Sequence, residues 1–348
     1  MARHCLDVLD WIEESICLSP VDWERFNKDF GLREKLNFSS RELVCAAFED
    51  GDKKAQEKVH KCLSLIYDID FSVVAIEKID AEMQPILRDV ASVLEKAALD
   101  YEIGLVSESM LSGYPSSGKE YVKWLKKLIS SHKSSVHPVY NDYISEHADA
   151  NDLAFYLIQE SSLDPRFDDI LALMQIGLPV DQKLELGQNY WDEMGNGEPD
   201  KVHSHLFQSA IYSLGISAQR IKSEMLPEAL VQGNLSACLA LSRRHYFKAV
   251  GYFGVTEYLA PRRFKHVVKA WRRNELPEVG IEYHDLHIVI DAQHANGWFN
   301  HVVVPLVEEN PAIGRDIALG AAIRLSTSSR YLDQLLKHFE TNREAASV

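Results

Sequence analysis

Residues 281–299 read IEYHDLHIVIDAQHANGWF, and this stretch predicts an α-helix that is largely buried. Apolar residues flank a polar stripe at helical spacing; they are Ile281, Leu286, Ile288, Val289 and Ile290. On such a helix, His287, Asp291 and His294 lie within about 60° of arc. Two imidazoles and a carboxylate suit a non-haem Fe(II) ion with open positions better than calcium or structural zinc. A solvated polar face is the alternative interpretation.

Four upstream residues are predicted to complete the site. Each is an ionisable residue in a segment with helical apolar periodicity; they are Glu160, Glu193, His203 and Glu257. With Asp291 the set carries four carboxylates, whose charge two ferrous ions would neutralise. Without metal, buried carboxylates that face one another repel and raise their pKa values. The sequence therefore favours two irons over one, with Asp192 as an alternative to Glu193.

The same residues resemble the haem-oxygenase-like diiron oxidases and oxygenases. The resemblance runs from about Ser117 to the end of the chain, and HPVYNDYISEHADANDLAFYLIQE (137–160) resembles the first core helices. Glu193 followed ten residues later by His203, then Glu257 and H-x3-D-x2-H, resembles the seven-ligand pattern of the N-oxygenating members. The ligands implied are Glu160, Glu193, His203, Glu257, His287, Asp291 and His294, with Glu257 as the expected bridge.

This resemblance implies a haem-oxygenase-like helical bundle with two Fe(II) ions between its helices and O2 as co-substrate. Members of the family hydroxylate nitrogen, cleave C–C bonds, decarboxylate or desaturate, and act on amino acids or fatty acids. The seven-ligand pattern favours an amino acid or an amino-acid-derived amine in a biosynthetic pathway. A homodimer and an external electron donor are further expectations. Two alternatives stay open: a cofactor-independent or haem-handling helical enzyme, and a non-catalytic helical binding protein.

Composition limits the partners and the location. The chain has 348 residues and a net charge of −15, which disfavours nucleic acid and anionic membranes as partners. No apolar run approaches the roughly 20 residues of a membrane span. The start, MARHCLDVLDWIEES, is acidic and unlike a signal peptide, so the cytoplasm is expected. The five scattered cysteines lack a C-x-x-C pair and predict reduced thiols.

The segment LSGYPSSGKE (111–120) predicts a boundary between an accessory helical domain, 1–114, and the iron domain, 115–348. Dimerisation or covering the substrate entrance is the role expected of the first domain. Gly113 to Lys119 fits G-x4-G-K, but Glu120 replaces the Ser or Thr of a phosphate loop, so a linker is favoured.

Periodicity along most of the chain predicts helices, for example over Arg41–Tyr67 and Ile79–Tyr101, with Pro and Gly at the breaks. The best strand candidates are residues 73–76 and 301–307. One E-x-x-H pair, Glu57 and His60, is of the kind that ferritin-like diiron bundles use twice. Neighbouring lysines favour a solvated helix face there instead.

Overall fold

The computed structural model describes residues 5–73 and 75–346, and these residues form sixteen α-helices and no β-strand. The prediction of an all-α fold is confirmed. The strand candidate at 301–307 is helical, with a π-helical turn at Trp298–Val303 followed by an α-helix. In the candidate at 73–76, residue 74 lies outside the described residues, and Ile76 begins a 3-10 helix.

The chain forms two compact units, one ending at Leu105 and one beginning at Val106. The segment predicted as a linker lies in the second unit, where residues 111–117 are irregular and precede a helix. The first unit contains α1 (Val8–Ser15), α2 (Pro20–Lys28), α3 (Phe30–Phe48), α4 (Lys53–Asp70) and α5 (Pro85–Gly104). The role predicted for residues 1–114 stays a prediction.

The helical pattern over Arg41–Tyr67 contains a break that the periodicity did not indicate. Gly51 has a φ of 76°, and the Asp52 carboxylate accepts backbone N–H groups at the start of α4. In α4, Glu57 pairs with Lys61 at 2.6 Å, as expected of a solvated face. His60 departs from that expectation: it is buried, and its ring meets Phe48 edge to face.

The second unit contains the remaining helices. They are α6 (Gly118–Ser131), α7 (Ala150–Glu160), α8 (Phe167–Met174), α9 (Val180–Glu193), α10 (His203–Ser213), α11 (Ala218–Glu224), α12 (Pro227–Leu241), α13 (Tyr246–Arg273), α14 (Glu282–Gly297), α15 (Val304–Glu309) and α16 (Ile313–Ala346). A second π-helical turn lies at Val139–Ile144. No helix within the described ranges combines the length and apolar character that crossing a bilayer requires.

The long helix α13 occupies the centre of the second unit and packs against both α14 and α16. Its Pro261 contradicts the expectation that prolines lie only at helix breaks. Proline has no N–H, so the Glu257 carbonyl, four residues earlier, loses the hydrogen bond it would receive in a regular helix. Packing on two sides keeps the helix continuous, and the affected carbonyl belongs to one of the predicted ligands.

Candidate metal centre

Six of the seven predicted ligands form two groups of three buried side chains. Within each group, one potential ligand atom from each residue lies within 4.8 Å of the other two. The first group is Glu193, His203 and His287, and the second is Glu257, Asp291 and His294. The helices α9, α10, α13 and α14 supply these residues, so side chains distant in sequence converge inside the second unit.

In the first group, two histidines face one carboxylate. The Nδ1 of His203 donates to Oε2 of Glu193 at 2.7 Å. The Nδ1 of His287 donates to the Tyr283 carbonyl at 2.6 Å, and its Nε2 faces Oε1 of Glu193 at 3.8 Å. Burial raises the pKa of Glu193, but the interactions with His203 and then His287 outweigh it and bring the value to about 2. The carboxylate is therefore ionised.

The loop between α9 and α10 sets the geometry of the first group. Glu193 ends α9 and His203 begins α10. Gly195 and Gly197 have φ values of 61° and 88°, so these glycines turn the chain where other residues would be strained. The N-cap residue of α10 is Val202, which provides no side-chain bond, although Asp200 lies two residues before it. Glu193 provides the hydrogen bond that holds the His203 ring.

In the second group, His294 lies between carboxylates on both sides. Its Nε2 donates to Oδ2 of Asp192 at 3.1 Å. Its Nδ1 faces Glu257 Oε2 at 3.6 Å and Asp291 Oδ1 at 3.7 Å. Burial lowers the pKa of His294, but Glu257 and then Asp192 outweigh it and raise the value to about 9. Asp192, considered as an alternative to Glu193, thus contacts the back of this imidazole.

The second group fits a bound cation. Two atoms that are each about 2.1 Å from one transition-metal ion lie about 3 to 4 Å apart, as the atoms around His294 Nδ1 do. That Nδ1 and Glu257 Oε1 are buried and have no hydrogen-bond partner among the described residues. Burial, then Glu257 and Glu193, raise the pKa of Asp291 well above its usual value. A divalent ion would relieve this repulsion, displace the proton from His294 Nδ1 and bind that nitrogen together with the carboxylate oxygen.

The H-x3-D-x2-H stretch lies on α14 as predicted, but its three side chains do not meet at one point. His287 belongs to the first group, whereas Asp291 and His294 belong to the second. The nearby His284 is buried, and neither ring nitrogen has a hydrogen-bond partner in residues 5–73 and 75–346. Burial and then His287 lower its pKa to about 3, so it is a neutral core residue beside the centre.

A cavity of about 30 Å³, called here the inner cavity, touches both groups. It has room for about two waters. Its lining residues are Leu163, Asp164, Phe167, Glu193, Thr256, Glu257, Ala260, Phe264, Tyr283, His287 and Asp291. The two groups thus share one small cavity.

The sequence did not predict several residues of this wall. Asp164 is one turn beyond Glu160, and its Oδ2 is buried with no hydrogen-bond partner in the described part of the chain. Tyr283 and Phe264 lie near predicted ligands, but neither residue has a sequence spacing that would single it out. Gly254, one turn before Glu257, accommodates the ring of Trp298, which a Cβ would approach to 3.2 Å.

Glu160, the seventh predicted ligand, is not in either group. It ends α7, is half-buried, and lines a second cavity together with Arg263 and Arg324. Burial raises its pKa, and Arg263 and Arg324 act in the opposite direction. Its role as an iron ligand stays a prediction.

Four aromatic residues that adjoin the predicted ligands in the sequence or lie within one turn of them do not line the inner cavity. Phe253 is fully buried and meets Phe167 edge to face, while Trp191 is 49% exposed. The other two, Tyr190 and Tyr258, are half-buried. The aromatic wall is instead Phe167, Phe264 and Tyr283.

A model of one protein family, described as an iron-containing redox enzyme, matches residues 154–328, half of the chain. The chain belongs to this family. The matched range includes all six residues of the two groups and Glu160. Membership of this family supports the general function of an iron-containing oxidoreductase. The buried histidines and carboxylates are compatible with iron binding.

A search of curated proteins found no match. Among solved structures, the chain is similar to a domain of unknown function with a heme oxygenase-like fold from Shewanella denitrificans OS217. The two share 18% identity with a TM-score of 0.46, and the match covers 65% of this chain and 93% of the other.

Proposed function

We propose that this iron-containing redox enzyme is a non-haem diiron oxidase or oxygenase that uses O2 to oxidise a small metabolite. The observation that carries the proposal is the pair of buried three-residue groups bordering one cavity. Two ferrous ions bound there would supply the electrons and open coordination positions for reaction with O2. The proposed substrate is an amino acid or an amino-acid-derived amine, and the proposed reaction is N-oxygenation or oxidative C–C cleavage.

The residues of the chain would hold and orient this centre. Asp192 and the Tyr283 carbonyl each accept an imidazole N–H, which fixes the opposite nitrogen of His294 and of His287 toward its group. The rings of Phe167, Phe264 and Tyr283 give the inner cavity an aromatic wall. With two histidines and one glutamate, the first group differs from the second, which has one histidine and two carboxylates.

Iron content and O2 uptake test the proposal directly. Anaerobic protein incubated with Fe(II) and then desalted is expected to retain about two irons per chain. Mixing it with O2 should consume O2 and change the visible absorption, faster with one member of a panel of amino acids and fatty acids. Retention of less than one iron, or no O2 uptake with any panel member, would contradict the proposal.

Asp192→Ala is expected to weaken iron binding about 10- to 100-fold, because His294 loses the acceptor that orients its ring. Asp192→Asn keeps an oxygen at that place and should weaken binding less. An iron titration of the anaerobic protein measures both effects. Asp181→Asn, an exposed change on the same helix, is the control and should bind iron like the unmodified protein. Equal iron affinity in all four proteins would show that Asp192 does not contribute to the metal centre.

A further inference from the structure

A second cavity, of about 50 Å³ and called here the arginine cavity, adjoins the inner cavity. The two share five lining residues: Leu163, Asp164, Thr256, Ala260 and Phe264. Beyond this common wall, the arginine cavity is lined by Arg263, Arg324, Gln232, Tyr331 and Glu160 among others. A group bound there would therefore lie next to the two buried three-residue groups and beside Glu160.

Arg324 is a buried cation with neutral hydrogen-bond partners. Its side chain is on α16, and the residue is 7% exposed. Nε donates to Thr256 Oγ1 at 3.0 Å, Nη1 donates to Gln232 Oε1, and the guanidinium faces the ring of Tyr252 at 5.3 Å. Burying a charge is unfavourable unless an opposite charge or several hydrogen bonds compensate for it. These contacts fix the guanidinium but do not neutralise it.

Four further donors around the cavity have no acceptor. They are Arg263 Nε, Gln232 Nε2, Tyr156 Oη and Tyr331 Oη, all buried and without a hydrogen-bond partner in the part of the chain that the structure describes. Arg263 makes one hydrogen bond, from Nη2 to the Ser134 carbonyl at 3.3 Å. Since buried polar groups in proteins are nearly always hydrogen-bonded, several donors in one cavity indicate an acceptor-rich ligand.

Two acidic residues also line this cavity, and the arginines offset their charge in part. Burial raises the pKa of both Glu160 and Asp164, while Arg324 acts to lower both values. Neither carboxylate accepts a hydrogen bond from Arg263 Nε, Gln232 Nε2 or Tyr331 Oη, because these three atoms have no partner in the described ranges. Neutralising the two acids therefore does not account for the unused donors.

We infer that the arginine cavity binds a carboxylate group of the substrate. A carboxylate offers two oxygens in one plane, which match the parallel N–H groups of a guanidinium. The small volume suits this group better than a phosphate. The adjoining carbon chain would pass the shared wall at Thr256 and Ala260 and reach the inner cavity. The position of the reacting bond at the irons rests on the proposed function. The binding of the carboxylate in the arginine cavity does not rest on it.

Calorimetric titration of metal-free protein tests the inference. The probes are hexanoate and L-norleucine, their amides hexanamide and L-norleucinamide, and inorganic phosphate, all at one ionic strength. At least one acid is expected to bind about tenfold or more tightly than its amide. Binding of neither acid, equal binding of acid and amide, or tighter binding of phosphate would overturn the inference.

Variants show whether binding occurs at this cavity. Tyr331→Phe removes one unused hydroxyl and should weaken acid binding about tenfold without lowering the unfolding temperature. Arg263→Gln should weaken it further. The matched controls are Tyr258→Phe and Arg262→Gln, which do not line the cavity and should bind the acids normally. Unchanged binding in both cavity variants would place the acid elsewhere and refute the assignment.

The iron content of the same preparations, measured after separate loading, keeps the two proposals distinguishable. Carboxylate binding that depends on Tyr331 and Arg263 would stand even if the protein failed to retain two irons. Normal iron binding without acid binding would refute the proposed carboxylate subsite and leave the proposed function unaffected.

Discussion

Replacing His203 with alanine is expected to reduce the iron retained by anaerobically loaded protein from about two ions per chain to about one, and to reduce O2 consumption at least about 100-fold. His203 and His287 supply the imidazoles of the first group, so the loss of either removes a third of its ligands. The second group keeps its three residues and should retain its ion. His294→Ala should have the complementary effect, leaving the iron held by Glu193, His203 and His287.

His205→Ala is the matched control for this experiment. His205 is two residues from His203 on α10, is exposed, and bonds to the Pro199 carbonyl through Nδ1. It should leave both irons and O2 consumption unchanged. Iron and protein determinations on desalted samples give the stoichiometry, and an oxygen electrode gives the rate. If the His203→Ala protein retained both irons and full activity, the first group would not be a metal site.

The sequence predicted the part of this centre that depends on local spacing. Helical periodicity placed His287, Asp291 and His294 on one helix, and the ten-residue interval brought Glu193 and His203 together across a short loop. Their division between two groups was not predictable from an angular projection, which places residues around a helix axis but omits their separation along it. Asp291 and His294 are one turn apart, whereas His287 is nearly two turns from His294.

Side chains that depend on tertiary packing were missed. Arg324 is 67 residues beyond Glu257 and meets Gln232 and Thr256 only because α12, α13 and α16 pack together. Arg263 has no distinctive spacing in the sequence, but its Nε is buried in the fold. Asp164 lies beyond the end of a helix, where helical periodicity no longer predicts the direction in which a side chain points. Local patterns therefore indicated the residues of the two buried groups, while the arginine cavity could be recognised only from the three-dimensional arrangement.

Gly251→Ala is expected to lower the free energy of unfolding by about 3 kcal/mol or more. A Cβ at Gly251 on α13 would lie 1.8 Å from the Ile317 carbonyl oxygen on α16. At Gly320 on α16, a Cβ would lie 1.8 Å from the Lys248 carbonyl oxygen on α13. The obstacle in each case is backbone, so no change of side-chain rotamer relieves it. The two helices must separate, and the interior packing loses contacts.

Gly187→Ala on α9 provides the matched control. A Cβ there meets only the Gln175 side chain, at an ordinary 3.5 Å. In this open helical position alanine should raise the free energy of unfolding by about 0.5 to 1 kcal/mol. Urea denaturation followed by circular dichroism measures both variants. Because α13 carries Glu257 and α16 carries Arg324, Gly251→Ala should also weaken iron and carboxylate binding together. Equal stability of the two variants would show that α13 and α16 are not in backbone contact at Gly251.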